Sequence, residues 1–205
     1  MILWQSGLLR IGISYFGHNK SFLYEPRSFA SVEEHDEEII RRHNSIVSPD
    51  DVVYHLGDEM VGCDYEYGAD CINQLNGQLY LVIGNHTTDN RIAYIKEHCP
   101  NVEDIQFAYR LRHHKFHFFL SHYPTITSNY DDGKKLYQHT ISLCGHSHCQ
   151  NCFKDWNKGF IYHCELDAHK NMPIEINKIV EDLKSFFTLS IEEQKQIISM
   201  EKYNA

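Results

Sequence analysis

Four short apolar runs in this chain stop at residues of a metal-ligating type. They are "DVVYHLGD" (51–58), "QLYLVIGNH" (78–86), "LSHYP" (120–124) and "HTISLCGHSH" (139–148). Apolar stretches of this length bounded by turn residues read as buried strands. Their ends present Asp58, Asn85 with His86, His122, and His146 with His148. Singly, each ending has an ordinary explanation: Gly-Asp is a common turn, Gly-Asn-His a loop, and a histidine before Tyr-Pro a surface group. His-x-His at a strand end is stronger. Taken together they require a fold that brings several strand ends to one place, as the carboxyl edge of an α/β sheet does. An Asp, an Asn amide oxygen and several imidazoles make a mixed O/N donor set suited to manganese, iron or zinc rather than calcium or a thiolate zinc.

Helical patterns interleave with these strands. Residues 31–47 follow the 3.6-residue period, and Ser31 with Glu34 makes a capping box. Residues 71–77 read as a helix end with Gly77 as its cap, and 91–99 as a helix stopped by Pro100. The stretch 102–124 alternates like a pair of strands turning near 113–115. Turn residues are expected at Asp131, Asp132 and Gly133. Further strand and turn follow in 158–176. An amphipathic helix over 176–187 precedes a last one over 190–203, capped by Ser190 with Glu193. Helices interleaved with strands, then a strand-rich half, predict an α/β fold, a sandwich of two mixed β-sheets flanked by helices. The 205 residues suit one domain, 1–205, with a helical extension from about 177 to 205.

Composition narrows the partners. Nineteen basic residues against 28 acidic ones give a formal charge of −9. That balance argues against an unspecific polyanion binder, so nucleic acid is not the favoured ligand, while a small phosphate ester remains open because bound metal supplies positive charge. The opening residues do not read as a secretory signal, and no apolar run reaches membrane-spanning length. The seven cysteines therefore read as reduced thiols in a cytoplasmic protein. Cys149-x-x-Cys152 has no second pair to complete a zinc knot, Cys144 reads as core, and His55 as a packed histidine.

The order Gly-Asp, Gly-Asn-His, His, Gly-His-x-His resembles the calcineurin-like metallophosphoesterases. "YFGHNK", "NSIVSPDDVVYHLGD", "LNGQLYLVIGNH", "LSHYP" and "AHKNMPIEI" resemble its compact, uncapped bacterial and phage members over residues 11–176. The resemblance implies a four-layer α-β-β-α sandwich with a two-metal site at one edge. It implies hydrolysis of phosphomono- or phosphodiesters by metal-activated hydroxide. Carried over by position, Asp58 would bridge two ions. Asn85, His122 and His146 would complete one site, His148 would serve the other, His86 would act as the acid at the leaving group, and His18 would touch substrate. Manganese is the expected ion, with iron, zinc or nickel as alternatives.

One motif of that family is missing. Asp-x-His should precede Phe16-Gly17-His18, yet Ile13 and Tyr15 stand there. One tight metal site and one weak one are therefore expected, with Tyr15 or His18 as conceivable replacement ligands. Thr87 stands where the family has an acid. The main expectation is a phosphoesterase. Its alternative is a degenerate relative that binds a phosphate ligand or a partner protein without turnover.

Overall fold

The computed structural model describes residues 7–127 and 135–203. The turn expected at 131–133 and the opening six residues lie outside them.

The run from Val52 to His55 is buried at every position, as a strand with both faces covered must be. It forms β2 (Val52–His55), between β1 (Leu9–Gly12) and β3 (Gln78–Val82), both parallel to it. β4 (Val102–Gln106) joins β3 in parallel. In the second sheet, β5 (Ala108–His113) and β6 (Phe116–Ser121) form a hairpin, and β7 (Thr140–Cys144) and β8 (Ile161–His163) add in parallel. β9 (Ile174–Glu175) returns antiparallel to β1. The strand orders are β4-β3-β2-β1-β9 and β5-β6-β7-β8. The helices are α1 (Ser21–Tyr24), α2 (Val32–Ile46), α3 (Tyr65–Asn73), α4 (Asp89–His98), α5 (Trp156–Gly159), α6 (Ile176–Thr188) and α7 (Ile191–Ser199). The architecture is thus two mixed sheets flanked by helices.

Side chains alternate along each strand, and that alternation divides the core in two. Val52 and Tyr54 face the other sheet and join Leu111, Phe118, Leu120, Ile141 and Leu143. Val53, Leu79 and Leu81 face Ile39 of α2, Ile72 of α3 and Ile95 of α4. Ile179, Leu183 and Phe186 of α6 pack into the inter-sheet cluster. The opposite face of the β5–β6 hairpin is exposed at Arg110, Arg112 and His117.

Several local expectations need revision. Residues 102–124 make three strands, because the chain crosses between sheets at Phe107 before the hairpin that turns at 114–115. α3 ends at Asn73 with Gln74 as its cap, and Gly77, at φ 99°, belongs to the turn into β3. The α2 capping box is offset: the Glu34 N–H donates to Ser31 Oγ, but the Glu34 carboxylate accepts from Ala30 N–H. α7 has both arms of its box but ends at Ser199, short of residue 203. No helix among the described residues is long and apolar enough to cross a membrane. All seven cysteines are free; Cys144, Cys152 and Cys164 lie in the inter-sheet core.

Two histidines are wedged between α2 and β2. His55 is 1% exposed and neither ring nitrogen has a partner. His43 lies 6.1 Å away, with Nε2 2.9 Å from the Asn76 carbonyl oxygen. Burial pushes His55 down to about 3 and His43 down to about 4. Both therefore stay neutral in the folded chain while the unfolded chain takes up protons below about pH 6.5. The unfolded state binds more protons in that window, so stability falls as pH drops from about 6.5 towards 4, by about 1.4 kcal/mol per pH unit for each ring. Urea unfolding at pH 7, 6 and 5 should show this slope, and His55→Leu should remove one ring's share of it.

Candidate metal centre at the strand ends

β1, β2 and β3 are mutually parallel, as are β6, β7 and β8, so each sheet gathers its carboxyl ends at one edge. The two edges meet at His122, just past β6, whose Nδ1 lies 2.7 Å from the Leu56 carbonyl oxygen after β2. A carbonyl only accepts, so Nδ1 carries a proton, and in the neutral ring Nε2 presents its lone pair.

That lone pair points at a crowd. Asn85 Oδ1 is 2.9 Å from His122 Nε2, His146 Nδ1 is 3.0 Å away, and Asp58 Oδ2 is 3.2 Å away. Asp58 and His122 are buried, at 3% and 1% exposure. With the ring proton on Nδ1, nothing on His122 is left to donate to either oxygen. Lone pairs then face one another at hydrogen-bond distance, which a shared cation would relieve. Donors at right angles on one ion, each bonded at 2.0–2.2 Å, sit about 3 Å apart. Asp58, His122 and His146 form one of two groups of possible metal donors among the described residues, and the residues present fit a divalent ion.

Small residues and unusual backbone make the crowding possible. A Cβ on Gly57 would stand 2.6 Å from His122 Nδ1, and one on Gly84 would collide with the Asp58 carboxylate. Tyr15, Asp58, His146 and His148 all have left-handed backbone, at φ 64°, 57°, 76° and 52°. Such conformations cost about 1–3 kcal/mol each and cluster where function demands them. The surroundings hold them in place: His86 N–H donates to Asp58 Oδ1 at 2.8 Å, and His146 N–H donates to Tyr15 Oη at 3.2 Å. Burial works to raise the Asp58 carboxyl, but the His122 ring in its doubly protonated form, then the His86 N–H, outweigh it and hold the group below the usual carboxylate range; the neutral ring leaves that place to a cation. Burial, then the neighbouring His122, pushes His146 down.

The other expected site residues fall at the rim. His86 is exposed, with its ring 6.2 Å from that of His18. His18 Nδ1 is buried without a partner, and burial pushes this histidine down. His148, expected on a second ion, is engaged elsewhere: its Nδ1 is 3.4 Å from Arg27 Nη2 and 3.7 Å from Asp167 Oδ2. Arg27 and Asp167 form a buried two-pronged pair at 2.6 and 3.0 Å. Burial opposes the charged form of Asp167, yet His148 and Arg27 bring its carboxyl down to about 2.

Ile13 and Tyr15 are each 1% exposed and belong to the core. Burial, then the charge of Glu165, raises the Tyr15 phenol well above its ordinary range, and its hydroxyl oxygen accepts from the His146 N–H.

Arg27 and Glu165 were invisible as site residues in the sequence. Arg27 sits in "YEPRSF", which carries no period and no motif. Glu165 is fully buried and accepts from the N–H groups of Ser147 and Cys149, at 2.8 and 2.9 Å, so it shapes the loop that carries His146 and His148. It also belongs to the second possible donor group, with Cys149 and His163. That group already satisfies itself. His163 lies 3.2 Å from Glu165 and 3.1 Å from Asp155; burial would lower it, but the two carboxylates hold it above its ordinary value. Cys149 is pushed up to about 12 by burial and then by Glu165.

No family model matches the chain. An uncharacterized protein of Methanocaldococcus jannaschii is 32% identical over 77 residues, covering 37% of this chain and 44% of that relative. The match therefore spans under half the length of that relative. A protein of unknown function from Aquifex aeolicus has a similar fold, with a TM-score of 0.62 at 21% identity over 86% of this chain and 99% of that one. A looser neighbour is an archaeal phosphodiesterase, at a TM-score of 0.44 and 16% identity over 82% of this chain and 98% of that one.

Two substitutions test the arrangement. Gly84→Ala should displace the Asp58 carboxylate and weaken Mn2+ binding by about 10–100-fold, the range seen when a ligand loses its support. Equilibrium dialysis reads this, and unchanged affinity would place the ion elsewhere. Arg27→Met should cost about 3–5 kcal/mol in urea unfolding, because it strands the buried Asp167 carboxylate.

Proposed function

We propose that this chain is a metal-dependent phosphoric ester hydrolase holding one divalent ion tightly, with manganese the first choice. The observation that carries the reading is the convergence of Asp58 Oδ2, Asn85 Oδ1 and His146 Nδ1 within 3.2 Å of His122 Nε2, at strand ends drawn from both sheets. A bound divalent ion supplies Lewis acidity towards phosphoryl oxygens and lowers the pKa of a coordinated water.

The chain's own residues complete the site. His122 is fixed in orientation by the Leu56 carbonyl, the kind of outer support that sets a ligand's tautomer. His86, anchored through its backbone to Asp58 and exposed at the rim, is placed to protonate a departing alkoxide. His18 opposes it across the rim and serves as a substrate contact. The Arg27–Asp167 pair holds His148 on the β1 side, and with Ile13 and Tyr15 buried there a second ion would be weak. The substrate is a phosphomono- or phosphodiester, and the reduced thiols fit a cytoplasmic setting.

A second reading has its own support. Ile13 and Tyr15, just past β1, are buried in the core, which suits a phosphate-binding relative without turnover. Metal-stripped protein titrated with Mn2+ separates the two. Hydrolysis of p-nitrophenyl phosphate or bis-p-nitrophenyl phosphate should appear with the metal. Asp58→Asn should abolish it together with metal binding, and His86→Ala should lower it by about 10²–10⁴-fold with metal retained. One ion per chain with no turnover on either ester would establish the binder instead.

A further inference from the structure

The acidic balance of the chain conceals a segregated charge. Residues 105–130 contain no Asp or Glu, although the chain has 28, and they carry Arg110, Arg112 and Lys115. The register of the β5–β6 hairpin sorts these residues by face. Leu111 and Phe118 point into the inter-sheet core. Arg110 pairs with Phe119 and Arg112 with His117 on the opposite, outer face, and His117 pairs with Thr140 of β7. Arg110, Arg112, His117 and Thr140 help line one shallow depression of about 340 Å³.

These two arginines differ from the others. Arg10, Arg27, Arg41 and Arg42 are each paired with a carboxylate, and Arg91 donates to the His86 carbonyl oxygen. Arg110 and Arg112 have no carboxylate within ion-pair reach among the described residues. Two guanidiniums without a carboxylate partner among the described residues, on a hairpin that contains no Asp or Glu, suit an anionic ligand.

The face also has a direction. On β6 the outer positions run His117, Phe119 and Ser121, and the same parity continues to Tyr123 just past the strand. Tyr123 is 49% exposed, with its ring 4.7 Å from that of His146. His117 to Ser121 is four residues, about 13 Å at the strand rise. Ser121 itself is buried where the chain folds back over it, its Oγ donating to the Tyr123 carbonyl oxygen at 2.9 Å, so the basic and aromatic side chains stand at the two ends of this stretch: Arg112, His117, Arg110 and Phe119 on the open sheet, and Tyr123 beside the metal cluster. Arg110 and Arg112 are two residues apart on one strand, about 6.6 Å, comparable to the repeat of an extended phosphodiester backbone. Phe119 and Tyr123 offer rings for unpaired bases, the combination by which proteins hold single strands.

We propose that the outer face of the β5–β6 hairpin, from Arg112 and His117 past Arg110 and Phe119 to Tyr123, binds a single-stranded nucleic acid and delivers it to the metal cluster. The delivery step rests on the phosphoesterase reading, whereas the binding is testable without it. A net charge averages over the whole surface and is compatible with a locally basic face.

Fluorescence anisotropy of a fluorescein-labelled twenty-mer of deoxythymidylate, in EDTA so that no metal chemistry intervenes, reads the binding; a uridylate twenty-mer run beside it distinguishes DNA from RNA. Saturable binding should weaken with salt along a slope of about −2, three phosphate contacts at about 0.7 each. Arg110→Gln with Arg112→Gln should weaken it at least tenfold and reduce the slope by about 1.4, two contacts' worth. Lys195→Glu, the same two-unit change in net charge but on α7, should leave it unchanged. Tyr123→Leu, which keeps every charge, should weaken binding several-fold without changing the slope, and gives a second test if the arginine variant misfolds. Equal losses from Lys195→Glu, equal affinity for duplex, or no saturable binding would overturn the proposal. So would a dimer in light scattering that the arginine substitutions dissolve, which would assign the face to a second copy of the chain. Binding that survives in EDTA while no ester is hydrolysed with Mn2+ would retain the surface and discard the enzyme.

Discussion

The contact on which the rest of the site depends is the 2.7 Å hydrogen bond from His122 Nδ1 to the Leu56 carbonyl oxygen. It joins the edge of one sheet to the edge of the other. It also decides what the ring can do, since in the neutral ring a proton held on Nδ1 leaves Nε2 as an acceptor. Remove that bond and the ring is free to turn and to donate, and the crowding of Asp58, Asn85 and His146 around it loses its chemical meaning.

Holding two sheet edges this close has structural costs that the chain meets locally. Gly57 and Gly84 give up side chains where the strand ends approach, and Gly145 does the same against Ile13. Asp58 and His146 accept left-handed backbone so that their side chains turn inward. The compensations are specific: a backbone N–H for the Asp58 carboxylate, a buried phenol for the His146 N–H, a buried Glu165 for the next two alternate amides. Tyr15 illustrates how substitution reshapes such an edge. Its hydroxyl oxygen supports the loop that carries His146, and its ring lies under both His148 and the Arg27 guanidinium.

Much of this was legible in the sequence because it depends on patterns. Strands that stop at a glycine announce where their polar followers will gather, and the parallel order makes those followers neighbours. Hence Asp58, Asn85, His86, His122, His146 and His148 group together in the sequence, whereas dividing them between two ions and an acid is what the family resemblance implies. The sequence could not show relationships with no local period. Nothing in "YEPRSF" says that Arg27 will reach across to Asp167 and His148, and Glu165 reads as one more polar residue after a strand until the loop folds over it. The crossing at Phe107 was hidden for a similar reason. Alternation continues through it, so 102–124 looks like one hairpin although its first strand belongs to the other sheet. Gly77 misled because a glycine after a helix resembles a cap even when the chain has already turned away.

One feature far from the metal donors bears on how the site comes to exist. Asn151 Nδ2 donates to the carbonyl oxygens of Ile197 and Met200, and Tyr203 N–H donates to the Gln150 carbonyl oxygen. The loop that begins with His146 is thus clasped by the segment following α7. On the ribosome that segment emerges last among the residues described, well after the strands have appeared. The sheets can assemble during synthesis, but the histidine loop gains its final brace only once residue 203 is free to dock. The histidine loop therefore depends for its brace on residues 46 and 49 positions further along the chain.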